Sequence, residues 1–172
     1  MNALFWRLLA RIVCKQRVFD WMVKRGERAP YRHITGQGTD EIYMYRYWLF
    51  NPYPHSRTDR DARSWWRKLL PSVRLHRIMR EDQDRDLHDH PWNARTIILR
   101  GFYVERREQF PSIIVRMVGS TSTLKYGEYH RIAYVSGGGV WTLFFTWRLR
   151  GEWGFKVNGV KIPWREYLGI KE

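Results

Sequence analysis

From Val73 onward, every long apolar run in this chain is too short and too β-branched or aromatic to be a helix. The runs are "VRLHRIMR", "ARTIILR", "FYVERRE", "SIIVRMV", "HRIAYV", "VWTLFFTWRL", "WGFKV" and "VKIPW", parted by turn material such as "EDQDRD", "SGGG", "RGE" and "NG". A run of this length and composition reads as a strand. Parallel strands need crossover connections, usually helices, and none can be placed between these segments. The expected fold is therefore mainly β: a small antiparallel barrel or double-stranded jelly roll. Asn158-Gly159 should close a tight hairpin between the last two strands.

The first third of the chain has a different character. Residues 2–25 read as one amphipathic helix, with Phe5, Leu8, Leu9, Ile12, Phe19, Met22 and Val23 at helical spacing and Gly26 as its stop. "EIYMYRYWLF" (41–50) reads as a strand, and the proline-containing polar stretch 51–64 as a loop that can lead into a helical turn at "SWWRKLL". This divides the chain into a helical appendage, 1–30, packed on a β-domain, 31–172, whose motif-bearing core is 73–150. "PWREYLG" should pack Trp164 and Tyr167 against the shell. With 10 Trp, 10 Tyr and 8 Phe, there is ample material for one core.

The single cysteine, Cys14, excludes an internal disulfide and any paired-thiolate zinc site. No apolar run nears the roughly 18 residues of a membrane span. Arg7 and Arg11 interrupt the apolar start, so it does not read as a secretory signal, and a cytoplasmic setting is expected. The net charge of +14 attracts polyanions, either nucleic acid or an anionic membrane surface. No zinc finger, phosphate loop or helix-turn-helix pattern accompanies it, so neither partner is favoured over a small-molecule ligand. A homodimer is compatible with the apolar strand faces.

The chemistry concentrates in "DRDLHDHPW". His88 and His90 are two apart, so on a strand their imidazoles face the same way, with Asp89 opposite and Pro91 ending the strand. Paired neutral imidazoles suit Fe²⁺, Zn²⁺, Mn²⁺ or Ni²⁺. A third ligand must come from elsewhere, and His130 in "KYGEYHRIAYV" follows a glycine turn at the start of a strand. His76 alternates with Ile78 and reads as a packed core imidazole. Asp86 and Asp89 are candidates to hydrogen-bond a ligand imidazole from behind.

Here the sequence resembles the cupin superfamily of metal-binding barrels. Of its first motif, G-x5-H-x-H-x(3,4)-E-x6-G, the chain keeps His88, His90 and Gly101; Asp82 stands at the first glycine, and Ala94 or Arg95 at the glutamate. Of the second, G-x5-P-x-G-x2-H-x3-N, it keeps Gly119, Gly127 and His130, with Lys125 for the proline and Tyr134 for the asparagine. The resemblance implies a divalent transition metal, Fe²⁺ first, held by His88, His90 and His130. It leaves the fourth ligand absent from its usual place. Glu105, facing inward beside Tyr103, would complete a His₃Glu set or act as an acid or base; facing outward, it is a solvated charge. Arg95, if inward, would clamp a substrate carboxylate; facing outward, it is a solvated charge.

Three functions fit these residues. The first is a non-haem Fe²⁺-dependent oxygenase acting on a small molecule. The second is a Lewis-acid isomerase or lyase. The third is a non-enzymatic, metal-stabilised binding module. The absence of any His-x-Asp or His-x-Glu counts against a 2-oxoglutarate-type triad.

Overall fold

The computed structural model describes residues 2–36, 39–53 and 65–170. Two six-stranded antiparallel sheets face each other. In chain order the strands are β1 (Pro30–Thr35), β2 (Ile42–Phe50), β3 (Ser72–Ile78), β4 (Leu87–His88), β5 (Trp92–Arg100) and β6 (Tyr103–Arg107). They continue with β7 (Phe110–Arg116), β8 (Thr121–Leu124), β9 (His130–Val135), β10 (Val140–Leu149), β11 (Gly154–Val157) and β12 (Val160–Pro163). One sheet runs β1-β2-β3-β10-β5-β8, the other β12-β11-β4-β9-β6-β7. Neighbours in each sheet are mostly remote in sequence, as in a jelly roll. The helices are α1 (Ala3–Val13), α2 (Gln16–Gly26), the short α3 (Trp65–Leu69) and the single turn α4 (Trp164–Tyr167). None is long and apolar enough to cross a membrane.

The antiparallel reading therefore holds, including the hairpin at Asn158-Gly159, where both residues have positive φ (49° and 83°) and Val157 pairs with Val160. At the C-terminal end Trp164 stacks on Trp153 (5.4 Å) and Tyr167 on Phe155 (3.9 Å). Two strands lie outside the sequence expectation: β8 ("TSTL") is polar and β1 carries Pro30 and Arg32, so neither shows an apolar alternation of useful length. The strand expected to carry both His88 and His90 is corrected to the two residues of β4, which ends at His88. The stretch 54–64, with His55, lies outside the described residues.

Strand β10 sits between β3 and β5 and separates two apolar volumes. Alternate side chains point to opposite faces. Leu143 and Phe145 meet Leu75, Ile97 and Leu99 on the outer face, under the helices. Thr142 and Phe144 face the space between the sheets. The apparently two-sided apolarity of β10 thus has two causes.

The single helix expected over 2–25 is corrected to two. The chain turns at Cys14–Lys15, where Lys15 is extended (φ −63°, ψ 139°) and starts α2. This is the place where Lys15 and Gln16 interrupt the apolar stripe. Asn2 caps α1 by accepting from the Leu4 N–H at 3.1 Å. The docking face also differs from the stripe. Trp6, Ala10 and Val13 are buried, with Trp6 edge-on to Phe145 (5.1 Å) and Trp147 (6.3 Å). Phe5, Leu8 and Ile12 are left about half exposed. The large flat indole fits against the aromatic outer face of β10, and that contact sets the rotation of α1. In α2 the expected Phe19, Met22 and Val23 do pack inward.

Candidate metal centre

β4 and β9 are paired at a single point, His88 opposite His130. Because β4 ends at His88, the chain is free to bend before Pro91. His90 then swings back to the same spot. Its Nε2 lies 3.0 Å from His130 Nε2, and the His88 ring is 4.9 Å from His130 and 5.4 Å from His90, centroid to centroid. One nitrogen from each of the three lies within 4.8 Å of the others, forming a cluster that could hold a metal ion. Two nitrogens bound cis on one ion at about 2.1 Å stand roughly 3.0–3.4 Å apart, so the His90–His130 separation fits a shared divalent cation. Burial pushes His88 down to about 4 against the opposing pull of Asp82, and pushes His90 well below its ordinary value. Neutral imidazole is the form that ligates a metal.

Glu105 is inward and almost fully buried, beside Tyr103 as the strand alternation required. Its Oε1 accepts from His130 Nδ1 at 2.9 Å. Arg107 Nε donates to Oε1 at 2.9 Å, and Arg116 Nε to Oε2 at 2.8 Å. Burial alone would raise this carboxyl. The His130 bond and charge and the two guanidiniums outweigh it and hold the pKa at about 2. The carboxylate therefore stands behind His130. It fixes the proton on Nδ1 and leaves Nε2 as the donor atom, the orienting role that carboxylates play at metal-bound histidines. Of the roles weighed for Glu105, this geometry supports neither direct ligation nor proton transfer to a substrate.

Arg95 requires a correction. It projects from the outer face of β5, with its guanidinium 4.7 Å over the Trp6 ring, and it does not line the cavity. The reason is parity: Ala94 and Thr96 neighbour it on β5, and Thr96 is the residue that lines the cavity. Asp86 and Asp89 are also placed elsewhere. Asp86 Oδ2 accepts from Tyr167, while Asp89 binds the Gly154 N–H (2.8 Å) and Lys161 Nζ (2.6 Å). Asp89 is completely buried, so it pins β11 and β12 to the segment that carries His88 and His90. His76 is a buried core imidazole over Phe144 (4.9 Å), outside the metal cluster.

Above the histidines the two sheets enclose a cavity of about 540 Å³, walled by Trp92, Phe144, Trp153 and Phe155 among others. Three polar groups in it escaped sequence reasoning. Arg74 is two residues before His76, so strand alternation alone places it inward. Tyr43 donates a hydrogen bond to Asp82 Oδ1, and Asp82 Oδ2 accepts from the Ile132 N–H at 2.7 Å. Asp82 Oδ2 is also 3.8 Å from His88 Nδ1, longer than a hydrogen bond. Burial, and then Asp82, raise Tyr43 well above its ordinary value, so its hydroxyl keeps the proton.

No protein-family model matches the chain, and no curated protein matches its sequence. Solved structures do match its fold. A cupin-2 domain from Rhodospirillum rubrum superposes with a TM-score of 0.50 at 11% identity, covering 74% of each chain. This chain has a cupin-like fold. A cupin 2 conserved barrel domain protein from Rhodopseudomonas palustris gives 0.49 at 16% identity, over 76% of this chain and 77% of that one. A putative mannose-6-phosphate isomerase from Ralstonia eutropha JMP134 gives 0.47 at 13%, over 69% of this chain and 99% of that one. The kept motif residues include turn glycines as well as the clustered histidines. Gly101 has φ 71°, and a Cβ there would stand 2.8 Å from Gly139 O and from Ser136 Oγ. Only glycine fits that close approach.

Proposed function

We propose that this cupin-like protein is a non-haem Fe²⁺-dependent oxygenase acting on a small organic molecule, with His88, His90 and His130 as the metal ligands. One observation carries the reading: three converging imidazoles open onto a cavity of about 540 Å³, and among the described residues no carboxylate joins them in the cluster. A metal held this way keeps positions for substrate and O₂. Fe²⁺, when bound, supplies the redox chemistry. The chain's own residues do the rest. Glu105 holds His130 in the ligating tautomer, the short β4 aims His88 and lets the chain bend so that His90 joins it, and Trp92, Phe144, Trp153 and Phe155 give the cavity apolar walls for the body of a substrate. A purely structural metal module would instead close its shell with a fourth protein ligand and fill the space above it.

A Lewis-acid isomerase or lyase is the second reading, and the Tyr43–Asp82 pair favours it. Both groups line the cavity, and a protonated phenol bonded to a carboxylate can pass a proton to or from a substrate. Reconstitution under anaerobic conditions with Fe²⁺, followed by nitric oxide, separates the possibilities. An S = 3/2 iron-nitrosyl signal in wild type, absent from H88A/H90A, is expected. Iron that binds but gives no nitrosyl signal would sink the oxygenase reading; no divalent metal of any kind bound at the histidines would sink both.

A further inference from the structure

The cavity holds a cation that no carboxylate of the described residues pairs with. Arg74 is among the largest fully buried side chains, 2% exposed, and it lines the same cavity as the histidines. Its guanidinium lies inside a box of five aromatic rings. The carbon is 5.1 Å from the Trp92 centroid, 5.2 Å from Phe144, 5.4 Å from Trp48, 5.6 Å from Tyr53 and 5.8 Å from Tyr31. One long hydrogen bond, 3.4 Å from its terminal nitrogen to Thr146 Oγ1, is made, and its buried Nε has no partner. No carboxylate pairs with it among the described residues.

A second guanidinium adds to the imbalance. Arg46 also lines the cavity, bonded to the Arg32 carbonyl (2.7 Å from Nε) and lying 4.4 Å over Tyr31. Burial, with Arg74 contributing repulsion, draws Arg46 down to about 10. Ring faces attract a cation, yet each such contact offsets only part of the cost of removing the charge from water. An unpaired buried cation with an unsatisfied donor is a site prepared for an anion.

We propose that Arg74 is the substrate-anchoring residue of this cavity, and that the ligand carries an oxyanion, a carboxylate or a phosphate ester, that it binds through Nε and a terminal nitrogen. The inference deepens the proposed function and rests on it only for the fate of the bound molecule. The planar fork matches two oxygens of such a group bidentately. Trp92 and Phe144 are walls common to both sites. Trp92 stacks with His90 at 6.5 Å and 22°, and Phe144 lies 6.1 Å from it. A molecule anchored at Arg74 therefore lies along these rings with its other end towards the histidines. The aromatic box also selects for a flat or apolar body behind the anionic head.

Calorimetric titration of the full chain with phenylacetate, phenyl phosphate and the neutral phenylacetamide tests this, with metal content measured on the same samples. Wild type should bind at least one of the two anions about tenfold to a hundredfold more tightly than the amide; which anion wins identifies the oxyanion. Arg74→Met should abolish the preference while keeping the metal, and Arg95→Met, a charge removed from the outer face, should keep it. Should Arg74→Met fail to fold, Arg74→Lys carries the test, since it keeps the charge and loses the fork, and the preference should shrink. His88→Ala separates the two ideas: it should lose metal and keep the anion preference. Equal binding of anion and amide by wild type, no binding of either anion, or an unchanged preference in both Arg74 variants would overturn the proposal.

Discussion

Glu105 Oε1 accepts a hydrogen bond from His130 Nδ1 at 2.9 Å, on a carboxylate already bonded by Arg107 and Arg116. The pair joins β6 to β9 under the metal cluster. It turns a charge in the polar-looking "ERRE" stretch into the support for one imidazole of the histidine cluster. Two guanidiniums keep the carboxylate ionised, so the proton stays on His130 Nδ1 and the lone pair on Nε2.

Glu105→Gln should therefore have two separable effects. The amide can present a donor to Nδ1 and disturb the tautomer, lowering metal affinity about 10- to 100-fold. It also takes the carboxylate away from the part-buried Arg116 and leaves the buried Arg107 with only Glu128, 4.0 Å away, at a cost of about 1–3 kcal/mol in stability. Metal titration and urea denaturation read the two independently. An unchanged affinity would remove the orienting role.

Acid should unfold the protein through this same group. The Glu105 carboxyl falls from its ordinary 4.5 to about 2 in the folded state. A lowered pKa gives stability that is present in full above about 4.5 and is lost as pH falls towards 2. His76 works in the same direction. Burial holds it well below its ordinary 6.5, so its contribution is present above about 6.5 and declines below it. Denaturation midpoints measured from pH 7 to pH 2 should fall steadily, and Glu105→Gln should flatten the portion below 4.5.

His88→Ala with His90→Ala should leave the chain folded and without its transition metal. Metal analysis of protein purified without chelator should give about one ion per wild-type chain and a background level in the double variant. Zinc recovered in wild type would still count as binding, because zinc competes strongly with iron for nitrogen sites. Equal metal in both would end the metal assignment.

Trp6→Ala should cost about 3–5 kcal/mol, since the indole is buried against Phe145 and Trp147. Leu8→Ala and Ile12→Ala, at sites 47% and 53% exposed, should stay within about 0.5 kcal/mol. Thermal or urea melts check the contrast. A large loss at Leu8 would mean that the apolar face of α1 is covered in solution.

The antiparallel β architecture, the hairpin at Asn158-Gly159 and the three histidines were legible in the sequence. Each depends on local rules: strand period, turn chemistry and motif spacing. Glu105 was legible as far as a choice between two faces. The period of two says that Glu105 and Tyr103 share a side, but only the pairing of β6 with β9 says which side is inside. Arg95 was open in the same way, and the structure settles it outward, one position out of phase with the cavity-lining Thr96, so its inward, substrate-clamping role falls. Arg74 was within reach by alternation with His76, yet its isolation from every carboxylate of the described residues was not. Sequence shows a guanidinium, whereas the lack of a counter-charge depends on what β2, β5 and β10 bring to it. The helix stripe shows the same limit, because Trp6 and Leu8 are both apolar and only the aromatic outer face of β10 chooses between them. What the sequence determined by itself is thus whatever follows from neighbours along the chain. Which face points inward, which charges are left unpaired and which apolar surface is covered were decided by contacts between strands and helices far apart in sequence, because burial and charge pairing are properties of the assembled molecule.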